Sequence, residues 1–163
     1  MERFSDYLET ANVVFFLKKF SFSFKQQEKA QRKIYSADVG LSNAVGFRFS
    51  KNHGRIMENI VAVELKRRQS FNPQMEIYYW KDYQQREVDF VVKDGLNVKQ
   101  LIQVCYDITD IQTKEREVRS LIRAVGEFKL KKGMIITEDH EGEEVVKGFK
   151  IVYVPLWKWL LVN

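Results

Sequence analysis

Residues 75–106 read MEIYYWKDYQQREVDFVVKDGLNVKQLIQVCY, and this stretch decides the fold of the chain. β-branched and aromatic residues dominate three runs within it, 75–80, 86–92 and 99–106, and short polar segments separate the runs. Runs of this composition with short connections are typical of strands that pair as antiparallel hairpins. The sequence therefore predicts three neighbouring strands here, and the other elements can be placed around them.

The flanking sequence predicts helices on either side of these strands. Residues 53–69 are helix-forming throughout, and a second helix is predicted over 113–128, with its first residue, Thr113, as the cap. Two further strands, 133–137 and 149–154, and a closing helix over 155–162 complete the pattern. Strands followed by a crossover helix and a returning strand predict an α/β sandwich with a mixed sheet.

The first 45 residues carry a less regular pattern. Residues 2–10 have helical spacing, and 13–20 and 21–27 are predicted as strands because phenylalanine alternates with serine in the second of them. A short strand is expected over 33–38, and a turn or short helix over 39–45.

Composition indicates a globular protein of one domain, or one domain with a small appendage. The 163 residues are 45% hydrophobic and 13% aromatic, and the single cysteine excludes an intrachain disulfide and fits a reducing compartment. Since no apolar run approaches the roughly 20 residues of a membrane helix and the start is charged, we expect a cytoplasmic protein without a signal peptide. The net charge of +5 permits attraction to nucleic acid without requiring it, because 22 acidic residues are interspersed among 27 basic ones.

Three polar residues on the predicted elements are the candidate catalytic and metal-binding residues: Glu58, Asp89 and Gln103. Glu58 shares a helix side with apolar residues, and Asp89 interrupts the apolar run EVDFVV. If the strands that carry Asp89 and Gln103 pair, their side chains converge near the helix that carries Glu58. Oxygen ligands of this kind suit Mg²⁺ or Mn²⁺, which polarises a phosphodiester and activates a bound water.

Each of these residues also has a purely structural interpretation, which the sequence leaves open. Glu58 could bond neighbouring backbone, and Asp89 could form an ion pair, for instance with Arg86, because a buried carboxylate is costly unless paired. Gln103 could be a hydrogen-bonded core amide, and Cys105 a small core hydrophobe.

The element order and the pattern Glu…Asp…(Glu/Gln)-x-Lys resemble the PD-(D/E)XK nuclease superfamily. More closely, the chain resembles the nuclease-like C-terminal region of archaeal-type AAA+ ATPases, in a series of stretches that covers nearly the whole sequence: 33–45, 54–68, 77–92, 101–108, 113–124, 133–139 and 151–161. Residues 2–27 resemble the end of the winged-helix segment that precedes that region. The resemblance implies a restriction-endonuclease-like core over 51–163, with a winged-helix remnant of helix and hairpin over 1–50.

Two departures from the family pattern affect function. No GxxxxGK[ST] loop is present, so no ATPase activity is expected from this chain. The resemblance then implies a fragment, or a free-standing relative, without the ATPase module. Cys105 stands where the resemblance implies a catalytic lysine, and a thiol supplies no cation to the phosphate.

The sequence thus leaves two main functions open. The first is a Mg²⁺-dependent nuclease-like domain acting on DNA, and the alternative is a non-catalytic regulatory module that binds nucleic acid or protein. The possible partners are DNA, an ATPase module or homologous chain, or a second copy in a homodimer. No contact with a membrane is expected. The candidate nucleic-acid-binding residues lie on the predicted 113–128 helix: Lys114, Arg116, Arg119 and Arg123. The other interpretation is that these residues form a solvated face of the helix.

Overall fold

The computed structural model describes residues 2–40 and 53–162, with side chains from Ser5 onward. In chain order its elements are α1 (Glu2–Thr10), β1 (Val14–Leu17), α2 (Phe24–Lys29), β2 (Lys33–Ser36), α3 (His53–Phe71), β3 (Met75–Lys81), β4 (Glu87–Asp94), β5 (Asn97–Val104), α4 (Ile111–Glu127), β6 (Lys132–Thr137), β7 (Gly142–Val146), β8 (Phe149–Pro155) and α5 (Leu156–Leu161). Most of the predicted 39–45 turn or helix lies outside the described residues.

A six-stranded mixed sheet forms the centre of the molecule, in the order β3-β4-β5-β6-β8-β7. β3, β4 and β5 pair antiparallel, as the short connections predict, and β5, β6 and β8 pair parallel. The predicted α/β architecture with a mixed sheet flanked by helices is confirmed. Strand β7, antiparallel to β8 at the edge, was not predicted, because the paired acids of GEEVV obscure its alternation.

Helices cover the two faces of the sheet with separate apolar clusters. On one face α3 contributes a stripe of buried residues at helical spacing, which pack with Phe90 and Ile102: Met57, Val61, Ala62 and Leu65. On the other face α4 does the same against Leu101 and Ile135: Val118, Leu121, Ala124 and Val125. Both faces of the sheet are therefore covered by apolar side chains, and a polar side chain there needs a partner.

Strands β1 and β2 form a separate antiparallel hairpin that packs on the α3 side of the sheet. Leu17 of β1 and Tyr35 of β2 are buried in the cluster that contains α3. The hairpin also reaches the sheet edge, where the Phe20 N–H donates to the Tyr79 carbonyl over 2.7 Å. This packing carries the polar side chains of β2 toward the candidate site.

The predicted strand over 21–27 is wrong. The chain turns after Phe20, and α2 begins at Phe24, where the N–H groups of Gln26 and Gln27 donate to the Ser23 carbonyl. Phe22 and Phe24 are both exposed, so their alternation with serine does not mark a buried strand face. Without a partner strand, the local turn chemistry of Ser23 decides the conformation.

The predicted cap of α4 is also corrected. The helix begins two residues earlier than predicted, at Ile111, and Asp110 is its N-cap. The Asp110 carboxylate accepts hydrogen bonds from the Gln112 and Thr113 N–H groups, each over 3.3 Å. Asp and Thr both cap helices, and the acid is the stronger of the two at this position.

A bulge in β4 changes the direction of the Asp89 side chain. Tyr78 and Trp80 of β3 face Val91 and Val88, so β4 has one extra residue in this interval. Val88 and Val91 consequently belong to the α4 cluster, whereas Phe90 packs on the α3 side. The predicted alternation, with Val88 and Phe90 on one face, is interrupted at Asp89.

Candidate functional site

The candidate site is organised around the side chain of Lys33, which β2 inserts between α3 and β4. The Lys33 ammonium lies 3.0 Å from Glu58 Oε1, 2.9 Å from Asp89 Oδ1 and 2.7 Å from Glu87 Oε1. Tyr35, two residues further along the same strand, donates its hydroxyl to Glu58 Oε1 over 2.7 Å. We call these five residues the acid–lysine centre. Glu58 and Asp89 therefore meet, as predicted from the sequence, but through a lysine that the sequence did not indicate.

Asp89 and Gln103 extend the hydrogen bonding between β4 and β5 with their side chains. Asp89 Oδ2 accepts from the Val104 N–H over 3.0 Å, and Gln103 Oε1 accepts from the Asp89 N–H over 3.2 Å. Gln103 Nε2 donates to Glu117 Oε2 of α4 over 2.7 Å. Both residues are buried, with 7% of Asp89 and 5% of Gln103 exposed. The Gln103 amide is thus fully engaged, which agrees with the interpretation of a hydrogen-bonded core amide.

The electrostatics of the acid–lysine centre follow from its burial. Burial alone would lower the pKa of Lys33, but the surrounding carboxylates, with Asp89 foremost, raise it well above its ordinary value. Burial raises the pKa of Asp89 to about 7; Lys33 opposes this rise, and the Glu58 charge adds to it. Burial likewise raises the pKa of Tyr35, which remains a hydrogen-bond donor. The lysine is therefore charged, and the buried Asp89 carboxyl ionises less readily than an exposed one.

Cys105 follows the end of β5 as a buried thiol with 4% exposure. Its sulfur donates to the Asp107 carbonyl over 3.4 Å, and burial raises its pKa to about 11. A thiol with this pKa is neutral at physiological pH, so Cys105 provides no charge to the site.

The arrangement fits an ammonium ion, not an additional divalent ion. Lys33 already bonds one oxygen from each of Glu58, Glu87 and Asp89, and the Gln103 oxygen is used by backbone. Across residues 2–40 and 53–162, no group of three or more His, Cys, Asp or Glu side chains is arranged to hold a metal. Metal ligation by Glu58, Asp89 and Gln103 stays a prediction.

Two further residues were placed differently by the sequence. Helical periodicity predicts that Asn59 lies on the side of α3 away from Glu58, in solvent, but its amide accepts from the Ser36 N–H over 2.9 Å and donates to the Ser36 carbonyl over 2.8 Å. Arg86 was a candidate partner for Asp89, but its guanidinium bonds Asp82, with Arg86 Nη2 2.6 Å from Asp82 Oδ2. The Asn59 amide fastens β2 to α3 and so helps to hold Lys33 in place.

The basic residues of α4 divide into two pairs. Lys114 lies 3.2 Å from Glu144, and Arg116 lies 2.7 Å from Glu117. Arg119 and Arg123 are exposed and form no ion pair with the acidic side chains that the structure describes. Of the four predicted nucleic-acid-binding residues, the latter two offer uncompensated charge.

Sequence reasoning missed Lys33, Tyr35, Glu87 and Glu117 as members or neighbours of this site. Lys33 and Tyr35 stand at i and i+2 of a short strand, which places both side chains on one face. That alternation was the available signal, but it does not reveal which face is buried.

The mixed α/β sheet and the acid–lysine centre define the structural class of this chain. Comparisons with known proteins define its family. The sequence matches DUF4143, a domain of unknown function, over residues 53–159. The chain belongs to this family. It is 39% identical over 162 residues to the uncharacterized protein MJ1544 of Methanocaldococcus jannaschii, an alignment that covers 96% of this chain and 35% of that protein.

The chain therefore spans 35% of the length of the curated relative that it matches. No solved structure matches the chain. None of the helices in the described ranges is long and apolar enough to cross a bilayer.

Proposed function

We propose that this chain is a non-catalytic, nucleic-acid-binding module with a PD-(D/E)XK nuclease-like architecture. The observation that carries the proposal is the Lys33 ammonium, which bonds Glu58, Asp89 and Glu87. These include two of the three side chains that a nuclease of this pattern would use to hold a divalent ion. Because these acids already bond the ammonium of the Lys33 side chain, the role of the centre is to stabilise the fold.

Cys105 supports the absence of catalysis. The resemblance implies a lysine at this position, whose ammonium would stabilise charge that develops on the phosphate. The buried neutral thiol of Cys105 has no such effect. Lys33 does not take the role of the implied catalytic lysine, because its three nearest acidic neighbours hold its ammonium inside the centre.

Charge outside the centre supports nucleic acid as the ligand. The chain carries a net charge of +5, and Arg119 and Arg123 are exposed on α4 without ion-pair partners among the described residues. Arginine side chains of this kind contact phosphate, and such contacts make binding sensitive to salt. We further propose that the module works within, or beside, a longer chain that supplies an ATPase.

Binding and cleavage of DNA can be measured separately to test this function. We expect the wild-type chain to bind labelled single-stranded and duplex oligonucleotides in EDTA, with an affinity that falls as salt rises. Addition of Mg²⁺ or Mn²⁺ should neither tighten binding nor produce cleavage. Asp89→Asn and Glu58→Gln should behave like the wild type in the cleavage assay.

Two outcomes would contradict the proposal. Metal-dependent cleavage by the wild type that is lost in both variants would make the chain a nuclease. If no oligonucleotide binds even at low salt, a protein-binding role would be favoured instead.

A further inference from the structure

A cleft lies beside the acid–lysine centre, between the N-terminal segment and the main sheet. Its volume is about 460 Å³, and it is lined by residues 19–23, Gln26, residues 80–83, and Arg123 and Glu127 of α4. That volume is within the range of sites for small organic ligands. Lys81, which lines the cleft, also lies 3.4 Å from Glu87, so the cleft and the acid–lysine centre are neighbours.

The uncompensated charge of the cleft is positive. Of its acidic residues, Asp82 is bonded by the Arg86 guanidinium, and Glu127 accepts a hydrogen bond from the Trp80 indole over 3.1 Å. Lys19 and Arg123 also line the cleft and pair with no acidic side chain in the part of the chain that the structure describes. An anionic group that enters the cleft would therefore find two cations and one carboxylate without an ion-pair partner, that of Glu127, so attraction exceeds repulsion.

Two aromatic rings stand exposed at the same place. Phe22 is 83% exposed and Tyr83 is 80% exposed, so both rings are accessible to a ligand in the cleft. The Phe22 ring is held edge-on by Phe20 with ring centroids 5.2 Å apart, and it also contacts Phe128 at 6.3 Å. Phe22 is thus positioned by its neighbours while its surface remains available.

We propose that this cleft binds a short segment of single-stranded nucleic acid, which deepens the proposed function and rests on it. Lys19 and Arg123 would contact a phosphate, and a base would stack on Phe22 or Tyr83. Cations beside exposed aromatic rings are the usual means by which proteins hold single strands without reading their sequence. A protein partner could also use aromatic and arginine side chains, but an apolar partner would leave the two cations desolvated and unpaired.

The cleft can be tested by fluorescence anisotropy with a labelled oligothymidine. Stacking on one aromatic ring and contact with one cation each predict a loss of about tenfold in affinity for Phe22→Ala, Tyr83→Ala and Arg123→Ala. Tyr83→Phe keeps the ring and should retain the wild-type affinity. Arg55→Ala, an exposed arginine on α3 outside the cleft, is the matched control and should change affinity less than about twofold.

Because all four residues are exposed, these variants should fold, which thermal unfolding can verify. Equal losses for Arg55→Ala and Arg123→Ala, without an effect of the aromatic substitutions, would overturn the cleft and leave the proposed function standing. Failure of the wild type to bind any oligonucleotide would overturn both.

Discussion

Lys33 connects side chains from two elements of the main domain to the N-terminal hairpin. Its three carboxylate contacts are all 3.0 Å or shorter, and Asp89 is almost completely buried. Removing one partner of a buried ion pair leaves a desolvated charge, which is more costly than the pair itself is stabilising. The centre should therefore be sensitive to the loss of this one ammonium.

We predict that Lys33→Met lowers the free energy of unfolding by about 2–4 kcal/mol, because three carboxylates lose their common cation. Urea denaturation followed by circular dichroism measures this change. The control is Lys18→Met, which removes an ion pair with Glu28 whose members are both nearly half exposed, and should cost less than about 1 kcal/mol. Losses of equal size in the two variants would show that Lys33 is an ordinary surface lysine.

Glu64 provides a test of pH dependence. Hydrogen bonds from Arg67 lower the pKa of this carboxyl to about 2 against the opposing effect of burial, and Arg68 contributes further. A depressed pKa stabilises the folded state above the unfolded value of about 4.5, and this stabilisation is lost as pH falls toward 2. At pH 7 we expect Glu64→Gln to be about 1–2 kcal/mol less stable than the wild type.

The same comparison repeated at lower pH gives the sign of the pH dependence of this stability difference. The difference between wild type and Glu64→Gln should shrink below about pH 4.5 and nearly vanish near pH 2, as measured by urea denaturation at each pH. Glu115→Gln, exposed on α4, should show no such trend. A difference that stays constant with pH would mean that Glu64 contributes through packing and not through charge.

At the scale of secondary structure, the starts of two helices depend on local hydrogen bonds that the sequence pattern did not predict. Helix α4 starts where Asp110 accepts two backbone N–H groups, and α2 starts where the Ser23 carbonyl accepts the Gln26 and Gln27 N–H groups in place of the predicted strand. The long elements α3, β3, β4 and β5 lie within two residues of their predicted bounds, because their apolar patterns extend over many residues.

We predict that Asp110→Ala destabilises the protein by about 1 kcal/mol, since two N–H groups of the first turn of α4 lose their acceptor. Thr113→Ala should have a much smaller effect, because Thr113 lies within the helix and is not its cap. The thermal unfolding midpoints of both variants measure the difference. A larger loss for Thr113→Ala would restore the cap that the sequence suggested.

Two of the five residues of the acid–lysine centre, Glu58 and Asp89, were predicted from the sequence. Glu58 and Asp89 could be predicted because helical and strand periodicity directs polar side chains toward an otherwise apolar core, where they need partners. Lys33 could not, because it lies 25 residues before Glu58, on a four-residue strand whose buried face depends on how the hairpin docks. The Asp89 bulge was hidden for the same reason, since register against β3 is a property of the folded sheet.

At the scale of the whole molecule, the hairpin and the sheet share one apolar cluster and one set of hydrogen bonds. Leu17 and Tyr35 are buried together with residues of α3 and β4, and Asn59 binds the Ser36 backbone. The hairpin therefore contributes directly to the main core. The aromatic cleft lies at the same junction, so a ligand there would contact both parts.

The position of Lys33 bears on how such proteins should be delimited. The region that matches the family begins at His53, twenty residues after the lysine that bonds its acids. A recombinant piece cut to the limits of the family match would keep Glu58, Glu87 and Asp89 and discard their counterion. Expression trials should extend upstream through β1, because the limits of the family match leave out a cation on which the acids of the domain depend.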